Sequence, residues 1–261
     1  MSDCITIDLP KGKKIYFASD FHLGTPSKEK STERERKIIR WLHKVQEDAA
    51  HIFLVGDIFD FWFEYKTVIP KGFVRLLGKL AEIVDAGIPI TVFTGNHDMW
   101  MFGYFTEELG IQVHRKPKII TTQNHRIYIG HGDGLGPGDY TYKFLKKIFE
   151  NPICRWFFKI IHPDIGVGLA NWWSRGSRAS GAKKDNNFLG EAEWLWAYSK
   201  ELEEKSHHDY YIFGHRHLPL DLEVGETSRY INLGEWLSFD TYAVYNGAKM
   251  ELLTFEKGVK N

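Results

Sequence analysis

Apolar positions fall into two patterns along the chain. Short continuous apolar runs stop at a Gly or at a polar cluster, and longer stretches between them repeat apolar residues every three or four positions. Continuous runs mark strands buried on both faces, and the longer spacing marks amphipathic helices. The spacing predicts strands at Lys14 to Ser19, Ile52 to Val55 and Ile88 to Thr94. It predicts helices at Ser31 to Asp48, Phe73 to Ala86 and Met99 to Leu109. Strand–helix–strand units of this length put parallel strands side by side, with their C-terminal ends at one edge of the sheet. Shorter strands are predicted at Ile111 to Val113, Ile119 to Thr122, Arg126 to Ile129 and Tyr210 to Phe213. Leu218 to Val224 with Ser228 to Asn232, and Thr241 to Tyr245 with Lys249 to Phe255, read as hairpins, so the second half is expected to be antiparallel.

What stands at the strand ends changes the picture. The first strand ends in Asp20-Phe21-His22, the second in Gly56-Asp57-Ile58-Phe59-Asp60, and the third in Gly95-Asn96-His97-Asp98. Gly130-His131-Gly132-Asp133 follows the strand at Arg126, and Gly214-His215-Arg216-His217 follows the strand at Tyr210. Residues two apart on extended backbone point the same way, so Asp20 with His22, and His215 with His217, can converge. Taken alone, Asp57 is as well read as a turn former or helix N-cap. The aromatic run Phe61-Trp62-Phe63 is either core packing or a hydrophobic wall beside a site. His43 and His51 read as surface or capping residues.

From Asp139 to about Ser206 the alternation gives way to helices alone, at Tyr140 to Phe149, Ile153 to Ile161, Ile165 to Ser174 and Phe188 to Ser206. Between Lys143 and Lys184 lie nine Lys or Arg against Glu150 and Asp164, in a chain whose formal net charge is zero, so the basicity is local. Trp156, Phe157, Phe158, Trp172 and Trp173 are interleaved with it. The block is either a solvated helical insertion or a cap whose apolar faces meet acyl chains or a membrane surface and whose cations meet phosphates. Ser174 to Arg178 suits an anionic ligand, with Arg175 and Arg178 as its cations.

Zero net charge gives no argument for nucleic acid. Cys4 and Cys154, far apart in sequence, predict a reducing compartment rather than a disulfide scaffold. Met1 to Pro10 has no apolar segment of the signal-peptide kind, and no apolar run is long enough to span a membrane. No obligate protein partner is evident. No linker separates domains, so one domain over residues 1–261, with a helical insertion at about 139–206, is expected.

Asp20, His22, Asp57, Asn96, His131, His215 and His217 together offer oxygen and imidazole donors without thiolates. Such a set suits Mn, Fe, Co or Zn and is poor for Ca or Mg. Seven donors are too many for one tetrahedral ion but fit two ions that share a carboxylate, the standard arrangement for phosphoester hydrolysis.

The five motifs, from residue 20 to residue 217, resemble those of the calcineurin-like metallophosphoesterase superfamily. The resemblance implies an α/β fold, a four-layer α/β/β/α sandwich with a helical cap insertion, and a centre of two divalent ions, most often Mn2+. It implies that Asp20, His22, Asp57 and His217 hold one ion, and that Asp57, Asn96, His131 and His215 hold the other. Asp57 and His97 are then the catalytic residues, His97 either stabilising the transition state or protonating the leaving oxygen. Gly56 to Trp62, His131-Gly132-Asp133 followed by Asp139 and Tyr142, and the helical insertion are similar to the UDP-2,3-diacylglucosamine diphosphatases of lipid A synthesis. That resemblance implies a lipid-linked UDP-sugar cleaved to UMP and 2,3-diacylglucosamine 1-phosphate. It implies substrate contacts at Asn96, His97, Asp139 and Tyr142, and a cytoplasmic enzyme in peripheral contact with the inner membrane. The best-known members carry Arg where this chain has His97. Two alternatives stay open: a metallophosphoesterase for another phosphomonoester, phosphodiester or nucleotide, and a non-catalytic scaffold on the same fold.

Overall fold

In a computed structural model, which describes residues 4–136, 140–169 and 187–256, the predicted strand–helix–strand units build one half of a layered structure. Strands β1 (Cys4–Thr6) and β2 (Lys14–Ala18) precede helix α1 (Lys28–Val45), and β3 (Ala49–Val55) precedes α2 (Val74–Asp85). Then come β4 (Ile90–Phe93), the single turn α3 (Tyr104–Glu107), β5 (Gln112–His114), β6 (Lys118–Thr121) and β7 (Arg126–Ile129). Helices α4 (Tyr140–Glu150), α5 (Pro152–Ile160) and α6 (163–169) form the helical segment, and α7 (Trp194–Glu203) returns the chain to β8 (Tyr210–Phe213). The last strands are β9 (Pro219–Glu223), β10 (Arg229–Leu233), β11 (Thr241–Tyr245) and β12 (Met250–Thr254).

Two six-stranded sheets result, ordered β12-β11-β2-β3-β4-β5 and β1-β6-β7-β8-β10-β9. Three apolar clusters give the layers. Ile38, Trp41 and Leu42 of α1 and Leu76, Leu80 and Ile83 of α2 bury against one face of the first sheet. Phe17, Phe53 and Phe93 meet Ile127, Ile212 and Ile231 between the sheets. Leu195, with Trp194 and Tyr198 beside it, covers the outer face of the second sheet over Tyr211 and Phe213. The order is therefore helix, sheet, sheet, helix. Phe17 and Phe53 stack with centroids 5.3 Å apart, and each such buried ring stabilises the sandwich by about 1.5–3 kcal/mol.

The strands β2, β3 and β4 are parallel neighbours, as the alternation predicts. The second half departs from the antiparallel expectation. The two hairpins form, but β8 runs parallel to both β7 and β10, because β9 takes the outer edge and β10 folds back between β9 and β8. The short edge strand β1, parallel to β6, was not anticipated.

Helix boundaries moved for identifiable reasons. Helix α1 starts at Lys28 because Ser27 is its cap, accepting from the Lys30 amide. Ser31 instead accepts from the Gly24 amide at 2.7 Å. It ends before Asp48, which pairs with Lys14 at 2.7 Å. The helix expected over Met99 to Leu109 shrinks to α3. A carboxylate oxygen of Glu64 takes the amides of Phe102, Gly103 and Tyr104, and Phe63 bridges to Trp100, so the chain before Tyr104 is committed elsewhere. His51 is not a surface residue: it is buried, bonds Thr91 Oγ1 at 2.9 Å and stacks on Phe53. Among the described residues no helix is long and apolar enough to cross a membrane.

Candidate metal centre

The loops after β2, β3, β4, β7 and β8 meet at one edge of the two sheets, and the backbone there is unusual. Asp20, His22, Asp57, His215 and His217 all have positive φ, between 44° and 65°. For residues with a Cβ this costs on the order of 1–3 kcal/mol each, and it concentrates where a site over-determines the chain. Two glycines make the crowding possible. A Cβ on Gly56, at φ +86°, would strike the His131 ring, and one on Gly95 would strike the Asp57 carboxylate.

Ligand-type atoms gather in overlapping sets, each with its members within 4.8 Å of one another. One holds Asp20, His22, Asp57 and His217, and a second holds Asp57, His131 and His215. Asp57 is common to both. His217 Nε2 lies 3.0 Å from His22 Nε2 and 3.2 Å from Asp20 Oδ1. His131 Nε2 lies 3.4 Å from Asp57 Oδ2 and 3.3 Å from Asn96 Oδ1. All seven expected donors are thus brought together. His131 Nδ1 donates to the Val55 carbonyl at 2.8 Å, which leaves Nε2 as the atom facing the cluster. A third set, His22, Asp60 and His97, adjoins the first.

The cluster fits divalent cations on its own chemistry. Asp20 Oδ1 and Asp57 Oδ2 are buried without a hydrogen-bond partner among the described residues. Burial works against ionising Asp57, but the neighbouring His131 and His97 outweigh it and hold the carboxyl well below the usual range. Burial likewise opposes ionisation of Asp20, and His217 and His22 hold it low. Burial pushes His22 and His215 down to about 4, so both are neutral, the form that ligates metal. Burial also disfavours charge on His131, yet Asp57 beside it raises it to about 10, so the place where the second set converges favours positive charge. A cation in that place supplies the same positive charge.

Carboxylates that the motifs did not single out brace the rim. Asp98 accepts from the Gly95 amide at 2.7 Å and the Ile58 amide at 2.8 Å, tying the β3 loop to the β4 loop. Burial and Asp57 raise it to about 7. Arg216, fully buried between His215 and His217, pairs with the equally buried Glu193 at 3.0 Å. Asp60 was visible only as part of its motif, and its backbone carbonyl lies 3.0 Å from His97 Nδ1. His97 also donates its amide to Asp57 at 2.9 Å and stands at the rim with its side chain 14% exposed. The signal that could have found Arg216 is an Arg locked between two ligand-type residues on a buried turn.

The aromatic run after Asp60 leads from the rim to the helical segment. Phe63 packs on Phe158 of α5 with centroids 4.7 Å apart, and Trp100 packs on it at 5.1 Å. Asp133 pairs with Lys146 of α4 at 2.6 Å. Phe63, Phe102, Pro152, Arg155, Trp156 and Lys159 line a cleft of about 290 Å³. Tyr142 lies in α4. Asp139, Arg175, Arg178, Trp172 and Trp173 lie outside the described residues.

A model of the family described as calcineurin-like phosphoesterase matches residues 13–219. A protein of Porphyromonas gingivalis (strain ATCC BAA-308 / W83) named UDP-2,3-diacylglucosamine hydrolase is 38% identical over 256 residues, covering 93% of this chain and 98% of its own. One of the same name from Proteus mirabilis (strain HI4320) is 26% identical, covering 92% of this chain and 98% of its own. Among solved structures, Vacuolar Protein Sorting 29 from Cryptosporidium parvum aligns with a TM-score of 0.45 at 10% identity, covering 94% of this chain and 97% of its own.

Proposed function

The chain belongs to the calcineurin-like phosphoesterase family and is a metal-dependent hydrolase, and from that premise we propose that it hydrolyses the pyrophosphate bond of UDP-2,3-diacylglucosamine, giving UMP and 2,3-diacylglucosamine 1-phosphate. The observation that carries this reading is the relative named UDP-2,3-diacylglucosamine hydrolase, 38% identical over 93% of this chain, and an apolar cleft bordered by Phe102 and by Trp156 of the helical segment supports it. A small nucleotide or phosphomonoester needs no such apolar wall, whereas two acyl chains do. Residues of about 139–206 then serve as a lid over the lipid end, within one domain spanning 1–261.

In this mechanism Asp20, His22, Asp57 and His217 would hold one ion, and Asp57, Asn96, His131 and His215 would hold the other, with Mn2+ as the proposed metal. When bound, two divalent ions supply an acidified water and neutralise charge on the phosphoryl group. The chain's own residues do the rest. Asp57 fixes the two half-sites relative to each other. His97 is oriented through its Nδ1 by the Asp60 carbonyl, so its Nε2 is turned to serve the leaving oxygen. Asp98 keeps the loop carrying Asn96 and His97 in register with Asp57. We assign substrate contacts to Tyr142, in α4, and to Asp139, Arg175 and Arg178.

Purified protein loaded with Mn2+ is expected to release UMP from UDP-2,3-diacylglucosamine. Intact substrate, alongside turnover of a simple aryl phosphodiester, rules out this substrate and favours the second reading, a phosphoesterase for a smaller ester. The specific observation on that side is His97, the residue general to the superfamily where the best-known lipid A enzymes carry Arg. The same helical segment is the part we assign to peripheral membrane contact. Ile153, Trp156, Phe157 and Ile160 of α5 are each more than half exposed, with Lys159 among them. Flotation with anionic liposomes at low salt is expected to carry the protein, and replacing Trp156 and Phe157 by Ser to release it. Flotation that is unaffected by the replacement removes the assignment.

A further inference from the structure

A second cleft, of about 270 Å³, opens beside the candidate centre between the end of β4, the β5–β6 connection and helix α4. Its inner wall is Gly95 and Asp133, which adjoin the donor Asn96 and lie two residues beyond the donor His131. Four cations border it: Arg115 and Lys116 from the connection, Lys146 from α4 and Arg155 from α5. Lys146 is matched by Asp133 at 2.6 Å. Arg115 is anchored on the Met101 carbonyl, and Arg155 lies 5.5 Å over the Phe102 ring. Those contacts fix the two guanidinium groups, and Glu64 and Glu150 act on Arg115 as opposing charges. Glu150, at the end of α4, is the other carboxylate of the cleft.

The cleft also has a flat, fixed wall. Trp100 is half-buried there and its indole N–H is held by the Phe149 carbonyl at 3.0 Å, with Met99 beside it. An immobilised indole and a polarisable thioether suit the face of a heteroaromatic ring. A carboxylate at the rim can accept from vicinal hydroxyls, and the paired cations of the connection suit a phosphate. A free phosphate ion would leave most of the volume unfilled.

We infer that this cleft receives the nucleoside monophosphate half of the substrate, with Arg115 and Lys116 on its phosphate, Trp100 under its base and Glu150 on its ribose. The inference rests on the UDP-sugar reading above. It divides the substrate between two clefts that meet at Arg155, which lines both, the lipid in the aromatic one and the nucleotide in the cationic one.

Calorimetric titration of the full, Mn2+-loaded chain with UMP and, separately, with inorganic phosphate tests it. UMP is expected to bind more tightly than phosphate. Arg115→Gln with Lys116→Gln should weaken UMP about tenfold, the loss of about 1.4 kcal/mol of charge-assisted contact. Uridine, which lacks the phosphate, should bind the double variant within about twofold of the wild type. Arg115→Lys, which keeps the charge, should restore most of the UMP affinity and guards against a folding artefact. UMP binding equally well to the double variant overturns the inference, as does wild-type protein binding UMP no better than phosphate. Should UMP behave as expected while UDP-2,3-diacylglucosamine stays uncleaved, the nucleotide cleft stands and the lipid substrate falls.

Discussion

At the strand-end rim, Asp20, His22, Asp57 and His131 are almost wholly buried, and short contacts to neighbouring loops hold them. In α5 of the helical segment no residue is buried, and Ile153, Trp156, Phe157 and Ile160 are 59–65% exposed. The rim is held by strained backbone, absent side chains at Gly56 and Gly95, and buried charge pairs. Among the described residues, the helical segment meets it through Phe158 against Phe63 and Trp100, and through Lys146 against Asp133. The difference teaches a division of labour. On the reading proposed above, the chemistry belongs to the rim, where the fold cannot give, and the choice of substrate to the segment where apolar surface is left open.

That division can be broken at several points. The largest effect is expected from Asp57→Ala, since both donor sets lose a shared member. Hydrolysis of every phosphoester tested should fall by at least ~10³-fold, and metal analysis should show fewer than two ions per chain. Two ions retained with near-normal rate would show that Asp57 is not the shared donor. Next, His97→Ala should lower kcat about 10²–10⁴-fold with the metals still bound, and equally for acylated and simple substrates. A loss confined to the acylated substrate would move His97 from the rim's role to that of the helical segment.

A third test acts on the sandwich beneath both regions. Burial pushes His51 down to about 4, so between pH 6.5 and about 4 the unfolded chain binds a proton that the folded chain refuses. Stability is therefore full above pH 6.5 and is lost as pH falls toward 4, by up to about 3 kcal/mol. Denaturant melts across that window should show the slope, and His51→Gln should make it shallower, leaving the share of His22 and His215. An unchanged slope would place the acid sensitivity elsewhere. The smallest effect is expected from Phe158→Ala. It should cost about 1–2 kcal/mol, less than a fully buried ring, and raise KM for the acylated substrate while leaving an aryl phosphodiester alone. Equal loss on both substrates would join the two regions that the comparison separates.

The strands and their ligand-bearing ends were legible in the sequence because continuous apolar runs stop at Gly beside Asp, Asn or His, a local signal. The parallel setting of β8 between β7 and β10 was not, because it depends on β10 passing inside β9, and nothing local encodes that. Three-residue β1 needs β6, more than a hundred positions away, to exist as a strand. The expected helix before Tyr104 failed to a side chain: Glu64 captured the amides that a helix start leaves free. His51 looked peripheral because one polar residue at the head of an apolar run gives no hint of a Thr91 hydroxyl across the next strand. The donors of the centre were readable as a set, whereas Asp98 and Arg216 stood in their motifs without a role, and Glu193 stood in none. Their roles exist only once the loops have met.

The fully buried pair of Glu193 and Arg216 has a further consequence. Glu193 opens α7, the outer layer of the sandwich, and Arg216 sits between the two histidines of the β8 loop. Separating the pair strands a charge in the interior, which commonly costs about 3–5 kcal/mol. The outer helix and that loop must therefore open together, as one cooperative unit in amide exchange, rather than fray one by one. Stripping metal with a chelator should then speed exchange along Trp194–Glu203 before it is felt in α1.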